Sequence, residues 1–163
     1  MTARWTVLVA EDNENDVLIL EHAFSMIKTE VSLKIVTDGI HAIDYLSGQN
    51  GFNDRTRFPL PHLLLLDLKM PQVDGFGVLK WLRENPPLHR LRVIVFTSSA
   101  HHTDVDRAYD LGASSYIRKP AALSDMRSVV DYIKEWLQVN EFAVISDATF
   151  GSLIPISPTS LKS

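Results

Sequence analysis

The 163-residue chain contains no cysteine. That removes disulfides, thiolate nucleophiles and cysteine-built zinc sites, and it accords with a reducing cytosol. A basic excess is also missing, since 16 Lys and Arg stand against 20 Asp and Glu for a net charge of −4. No cationic field exists to neutralise phosphates, so nucleic acid is excluded as a partner; the runs Arg90 to Arg92 and Arg118-Lys119 are too short to supply one. Long hydrophobic runs are absent as well. The first apolar stretch ends at Ala10 and acidic residues follow at once. Neither a signal peptide nor a membrane span is expected, and the default location is the cytoplasm.

What is present is alternation. Five short apolar runs read as strands: Thr6–Ala10, Leu33–Val36, Leu63–Leu66, Val93–Phe96 and Ser114–Ile117. Val7 to Val9, Leu63 to Leu66 and Val93 to Phe96 are apolar throughout, as suits strands buried on both faces. Between them lie stretches of helical period. Val17, Leu20, Phe24 and Ile27 form one stripe, with Asn13 to Asp16 as a polar start able to cap it. Gly39 precedes a second helix that carries Ala42, Ile43 and Leu46 and ends at Gly48; Phe76, Leu79 and Leu82 mark a third, stopped by Pro86-Pro87. A weak fourth runs from about Thr103 to Leu111 and closes at Gly112. The fifth, from Ser124 to about Gln138, keeps Leu123, Met126, Val130, Ile133 and Leu137 on one face.

Strand and helix thus alternate five times. Right-handed crossovers give an α/β fold with an open, doubly wound parallel sheet, whose functional site belongs at the carboxyl ends of the strands. Two segments depart from the repeat. Residues 49–62 (QNGFNDRTRFPLPH) form a connection longer than the fold needs, and Phe52 and Phe58 within it can pack locally or meet a partner. Residues 141–163 lose periodicity and become Ser/Thr/Pro-rich, so they read as a tail behind one domain spanning 1–140.

The residues that follow the strands carry chemistry. Glu11 and Asp12 follow the first, Asp67 the third, Thr97 the fourth, and Lys119-Pro120 the fifth. If the first and third strands are neighbours, three carboxylates converge and raise one another's pKa until a cation neutralises them. A hard dication with oxygen ligands answers that need, and Mg²⁺ suits a site with few carboxylates and several waters. Asp67 can then attack a phosphoryl group as an oxygen nucleophile, with Lys119 neutralising one phosphoryl oxygen and Thr97 donating to another. Taken singly, each residue has a plainer reading as a helix-start charge, a turn residue or a common dipeptide. The argument rests on all of them occupying strand ends of one sheet.

In order and position, VLVAEDNENDVLIL, LLLLDLKMPQVDGFGVLKWLR, VIVFTSS and AYDLGASSYIRKP resemble the receiver domains of two-component response regulators, over about Val7 to Leu137. The resemblance implies a flavodoxin-like sheet of order 2-1-3-4-5 and a protein that accepts a phosphoryl group from a histidine kinase. It implies Asp67 as phosphoacceptor, Asp12 as a direct Mg²⁺ ligand, Glu11 as its water-mediated neighbour and Lys69 as the donor of a backbone carbonyl. It further implies Thr97 and Tyr116 as the switch pair, Lys119 as the phosphoryl-binding lysine, and a cis Lys119–Pro120 bond. Lys69 and Ser99 fall where side chains tune acyl-phosphate hydrolysis. The finer likeness is to small regulators that partner bacterial phytochromes, which share the long connection before the third strand. With no output domain after the fifth helix, the output is expected to be a contact with a downstream or phosphotransfer protein.

Other features are weighed against plainer readings. His101-His102 stand near the carboxylates, but adjacent imidazoles rarely share one metal, and a solvated loop explains them. On the fifth helix Val129, Tyr132, Trp136 and Val139 widen the apolar arc to roughly 200° at about 100° per residue. Either the tail covers that arc through Phe142, Val144 and Ile145, or the arc forms a homodimer through the fourth helix, fifth strand and fifth helix, as the resemblance favours. An aspartyl-phosphate phosphatase would want a second Asp two residues after Asp67, where Lys69 stands, and a cap region the chain lacks. A nucleotide or flavin module would want glycines after the first strand, where the chain reads Glu-Asp-Asn-Glu-Asn-Asp.

Overall fold

The computed structural model describes residues 3–28, 30–88 and 90–139, the last without its side chain. Five parallel strands, β1 (Trp5–Ala10), β2 (Val31–Val36), β3 (Leu63–Leu66), β4 (Arg92–Thr97) and β5 (Ser115–Arg118), form one sheet of order β2-β1-β3-β4-β5. Five helices alternate with them: α1 (Glu14–Met26), α2 (Gly39–Ser47), α3 (Gly75–Glu84), α4 (His102–Asp110) and α5 (Met126–Val139). The doubly wound sheet expected from the alternation, and the flavodoxin-like strand order that the resemblance implies, are both observed.

The period-two geometry of a strand divides the core in two. Leu8, Ala10, Leu64, Leu66, Val93 and Val95 point to one face, where α2, α3 and Ala108 of α4 cover them. Val7, Val9, Leu63, Leu65, Ile94 and Phe96 point to the other and pack on Leu20 and Phe24 of α1 and on Val130, Ile133 and Leu137 of α5. The four leucines of β3 are at most 1% exposed, which explains their unbroken apolar run: both faces are roofed. Each such side chain contributes about 1.5–3 kcal/mol of burial. At the sheet edge, β2 is only half-buried and its alternation is correspondingly blurred.

Side-chain caps fix where the helices begin. Asn13 Oδ1 accepts from the Asp16 N–H at 3.1 Å, Asp38 Oδ1 from His41 N–H at 2.7 Å, and Asp74 Oδ1 from Gly77 N–H at 2.9 Å. Gly48 ends α2 with φ +70°, the left-handed conformation glycine allows. Several expected limits shift. Strands β1, β2 and β4 start one or two residues earlier than the apolar runs; α4 starts at His102; Leu123–Asp125 is a 3₁₀ turn leading into α5, which starts at Met126. No peptide bond among the described residues is cis, so Lys119–Pro120 is trans, contrary to the resemblance. An X-Pro bond prefers trans by about 0.5–1 kcal/mol, and here Lys119 keeps its backbone bond to Thr97 with that isomer.

The long connection has a local purpose. Tyr45, Phe52 and Phe58 stack in edge and tilted contacts at 4.9–5.9 Å. Arg55 donates to the carbonyls of Tyr45 (2.8 Å), Leu46 (3.1 Å) and Phe58 (3.3 Å), the first of which also accepts from the Gly48 N–H at 3.2 Å, so the guanidinium supplements the cap at the end of α2. The tail, with Phe142, Val144 and Ile145, lies outside the described residues.

Candidate functional site: an acidic cluster at the strand ends

Backbone pairing continues one residue beyond the strands and seats the site. Glu11 N–H donates to the Val36 carbonyl at 3.0 Å, Asp67 N–H to the Ala10 carbonyl at 3.0 Å, and Lys119 N–H to the Thr97 carbonyl at 2.7 Å. Because β1 and β3 are neighbours in the observed register, Ala10 opposite Leu66, the residues after them meet. Carboxylate oxygens of Glu11, Asp12 and Asp67 lie within 4.8 Å of one another. Glu11 and Asp67 are buried, whereas Asp12 is exposed. Glycine makes room beneath them: a Cβ on Gly75 would strike the Asp67 carbonyl oxygen, so α3 can start against the Asp67 peptide only without one.

A single ammonium serves this cluster. Lys119 Nζ stands 2.6 Å from Glu11 Oε2, 2.8 Å from Asp16 Oδ2 and 3.3 Å from Asp67 Oδ2. Burial works to lower the lysine's pKa, but hydrogen bonds to Asp16 and Glu11 and the Asp67 charge override it, and the net shift is upward. Burial, reinforced by the Asp67 charge, pushes the Glu11 carboxyl up to about 7 against the opposing bonds from Lys119 and the Asn13 N–H. Four carboxylates against one ammonium leave the site short of positive charge. Its donors are all oxygens, buried or half in water, which is the chemistry of a small hard dication such as Mg²⁺. Glu11, Asp12 and Asp67 would hold that ion. The Lys69 side chain is exposed and its N–H lies 3.4 Å from Asp67 Oδ1, which sets its backbone beside the acceptor.

The remaining expected residues fall around this centre. Thr97 closes β4 and is fully buried; its Oγ1 lies 3.5 Å from the Ser99 N–H. Tyr116 donates from its hydroxyl to the Ser99 carbonyl at 3.0 Å, and burial raises its pKa. The expected switch pair is thereby joined through the loop after β4. His101 and His102 are exposed at the start of α4 and are not among the clustered carboxylates. Next to the cluster, Lys69, Ser98, Ser99, His101 and Arg118 line an open recess of about 330 Å³.

A sequence profile of the family "Response regulator receiver domain" matches residues 7–131. The chain belongs to this family. The receiver is similar to the response regulator Rcp1 of Synechocystis, at 32% identity over 133 residues that cover 81% of this chain and 88% of Rcp1. Among solved structures it resembles the phosphorylated cyanobacterial phytochrome response regulator RcpA, with TM-score 0.77 and 32% identity over 84% of this chain and 96% of that one. It also resembles RPA3017, a response regulator in red light signalling of R. palustris, with TM-score 0.76 and 37% identity over 80% and 92% of the two chains. The family places the chain in two-component signalling as a phosphoacceptor rather than a metabolic enzyme. Receivers take Mg²⁺ or Mn²⁺ at their acidic pocket, and Rcp1 has been solved with Mn²⁺ bound. No helix of the described residues is long and apolar enough to cross a membrane.

Sequence reasoning missed one contact and misread another residue. Asp16 reaches Lys119, yet as a first-turn acid it was explained by capping; its placement one turn beyond Asp12 was the available signal. Val129, assigned to an exposed interface, is 8% exposed and belongs to the core on the α1–α5 face. That position faces inward on α5, whereas Tyr132 is exposed and Trp136 half-buried against the same core, their rings 6.4 Å apart and the Tyr132 hydroxyl 2.8 Å from Ser115 Oγ.

Proposed function

We propose that this receiver accepts a phosphoryl group on Asp67 from a sensor histidine kinase of the phytochrome type and passes the signal by protein contact. The observation that carries the reading is the Asp67 carboxylate, buried beside Glu11 and Asp12 with the Lys119 ammonium 3.3 Å away. An Asp67 oxygen forms the new O–P bond while the P–N bond of phosphohistidine, or the P–O bond of an acyl phosphate, breaks and its electron pair leaves with the donor. Glu11, Asp12 and Asp67 would hold a Mg²⁺ ion, which would offset charge on the transferring group. Lys119 neutralises a second phosphoryl oxygen, and the Thr97 hydroxyl donates to a third. Tyr116, tied to the carbonyl of Ser99, follows movement of that loop and carries the change to the surface around α4. The same groups assist the hydrolysis that resets Asp67.

The partner surfaces follow from what is exposed. Leu18, Met26 and Leu123, 61–69% exposed, rim an apolar groove of about 420 Å³ between α1 and the start of α5, which fits a helical face of the kinase. Tyr109 and Tyr132 are exposed on α4 and α5, with the half-buried Trp136 beside Tyr132, and a homodimer assembles through this side. Residues 1–140 act as one cytoplasmic domain, and 141–163 follow as a tail. The reading is tested with Mg²⁺ and acetyl phosphate, by intact mass. The wild type gains one phosphoryl group and Asp67→Asn gains none; labelling retained in the variant removes Asp67 as acceptor. A monomeric mass at tens of micromolar, with and without phosphorylation, removes the dimer.

A further inference from the structure

An ammonium has three N–H donors, and all three of Lys119's face carboxylates: Glu11, Asp16 and Asp67. These partners are not equivalent. Glu11 and Asp67 belong to the trio whose oxygens converge closely enough to hold one metal ion, and Asp16 does not. With a dication held by Glu11, Asp12 and Asp67, the oxygens of Glu11 and Asp67 would be engaged by the ion, whose charge would repel the ammonium. Asp16 then remains as the one anion whose bond to Lys119 the cation does not contest. Its position is fixed by the chain: the Asn13 cap holds the Asp16 N–H at 3.1 Å, and α1 rises from there, so the carboxylate stands one turn above Asp12 and facing the end of β5.

We propose that Asp16 is a positioning residue, anchoring the Lys119 ammonium beside Asp67 when Mg²⁺ occupies the acidic cluster. The inference deepens the phosphoacceptor reading and names a device within it. Without the anchor, Lys119 swings away from the cation into water, and a phosphoryl group arriving at Asp67 finds its second neutralising charge displaced. Asp16 is itself one-third exposed, so its hold is moderate and solvent screens part of it.

The test uses the full chain with ¹⁵N-labelled lysine, the Nζ signal of Lys119 being assigned by its loss in Lys119→Arg. A held ammonium exchanges its protons slowly enough to be seen, and a freely solvated one does not. Without metal, the signal is expected in both the wild type and Asp16→Asn, because Glu11 and Asp67 hold it. With saturating Mg²⁺ it is expected to persist in the wild type and in Asp16→Glu and to vanish in Asp16→Asn. Under the same Mg²⁺, acetyl phosphate is expected to label Asp16→Asn about tenfold more slowly than the wild type, as loss of a charge-assisted bond implies, while Asp16→Glu recovers most of the rate. An Asp16→Asn signal that survives Mg²⁺ overturns the proposal, and so does an unchanged labelling rate. A stabilising first-turn charge alone would shift the melting temperature and leave both readouts where they were. If the wild type itself takes no label at Asp67, the acceptor reading fails, and the NMR arm, which uses no phosphodonor, still decides the part of Asp16.

Discussion

Alanine at Gly75 and at Gly77 separates backbone crowding from side-chain crowding within one helix turn. At Gly75 the new Cβ would strike the Asp67 carbonyl oxygen and come within 2.8 Å of Leu68 Cα. Neither can rotate away, and the Gly75 N–H is meanwhile bonded to the Leu68 carbonyl at 3.0 Å. The start of α3 must lift off the segment that carries the acceptor. At Gly77 the nearest atom is the Val73 Cγ1 methyl, also at 2.8 Å, which a rotamer change can move. Overpacking costs about 1–3 kcal/mol. Alanine returns up to about 1 kcal/mol in a helix interior and less at its first residue. Gly75→Ala is therefore expected to be about 2 kcal/mol less stable than the wild type, and Gly77→Ala to sit near it. For a domain of this size that separates their melting temperatures by roughly 4–8 °C, measurable by calorimetry. The Gly75→Ala protein should also label more slowly, because its acceptor has moved. Equal melting temperatures for the two variants would refute the claim that α3 abuts the Asp67 peptide.

Three further outcomes follow from the same contacts. The Glu11 carboxyl, raised from 4.5 to about 7, holds a proton in the metal-free fold that the unfolded chain gives up earlier. Metal-free stability should thus fall as pH rises through that window, whereas Mg²⁺ affinity, which needs the ionised form, should rise over it; titrations followed by tryptophan fluorescence at pH 5 to 8 that show a flat affinity would contradict the assignment. Arg55→Ala removes the guanidinium bonds to the carbonyls of Leu46 and Phe58, and one of the two to that of Tyr45, which keeps the Gly48 N–H, and should cost about 2 kcal/mol in urea unfolding, without altering Mg²⁺ affinity. His62 accepts the Thr6 N–H at 3.0 Å on Nδ1 and its pKa is lowered, chiefly by burial. Its contribution is present above the unfolded value of 6.5 and is lost as pH falls below that value through the lowered folded one, so His62→Gln should flatten the stability profile below pH 6.5.

What could be read from the sequence depended on whether a residue had one physical explanation or two. Four consecutive leucines at 63–66 admit a strand covered on both faces, and the residues after the strands meet because the sheet brings their ends together. Glu11, Asp12, Asp67 and Lys119 were legible on that ground, and the strand order came from the family's pattern. Asp16 was hidden because capping and the helix dipole already accounted for an acid in the first turn. Val129 was misplaced because an apolar arc drawn on an ideal helix cannot say where a neighbouring sheet stops covering it; that depends on the crossing of α5, a tertiary property. Residues 49–62 looked only long, since a cation capping α2 from ten residues away leaves no local signature.

The account stands most directly on the identity of the acceptor. After reaction with Mg²⁺ and acetyl phosphate, borohydride reduction converts an aspartyl phosphate to homoserine, and peptide mass spectrometry locates it. Homoserine at position 67 and nowhere else is the predicted result. Homoserine at position 11, 12 or 16, or a phosphoryl group recovered on a histidine, would contradict the central claim.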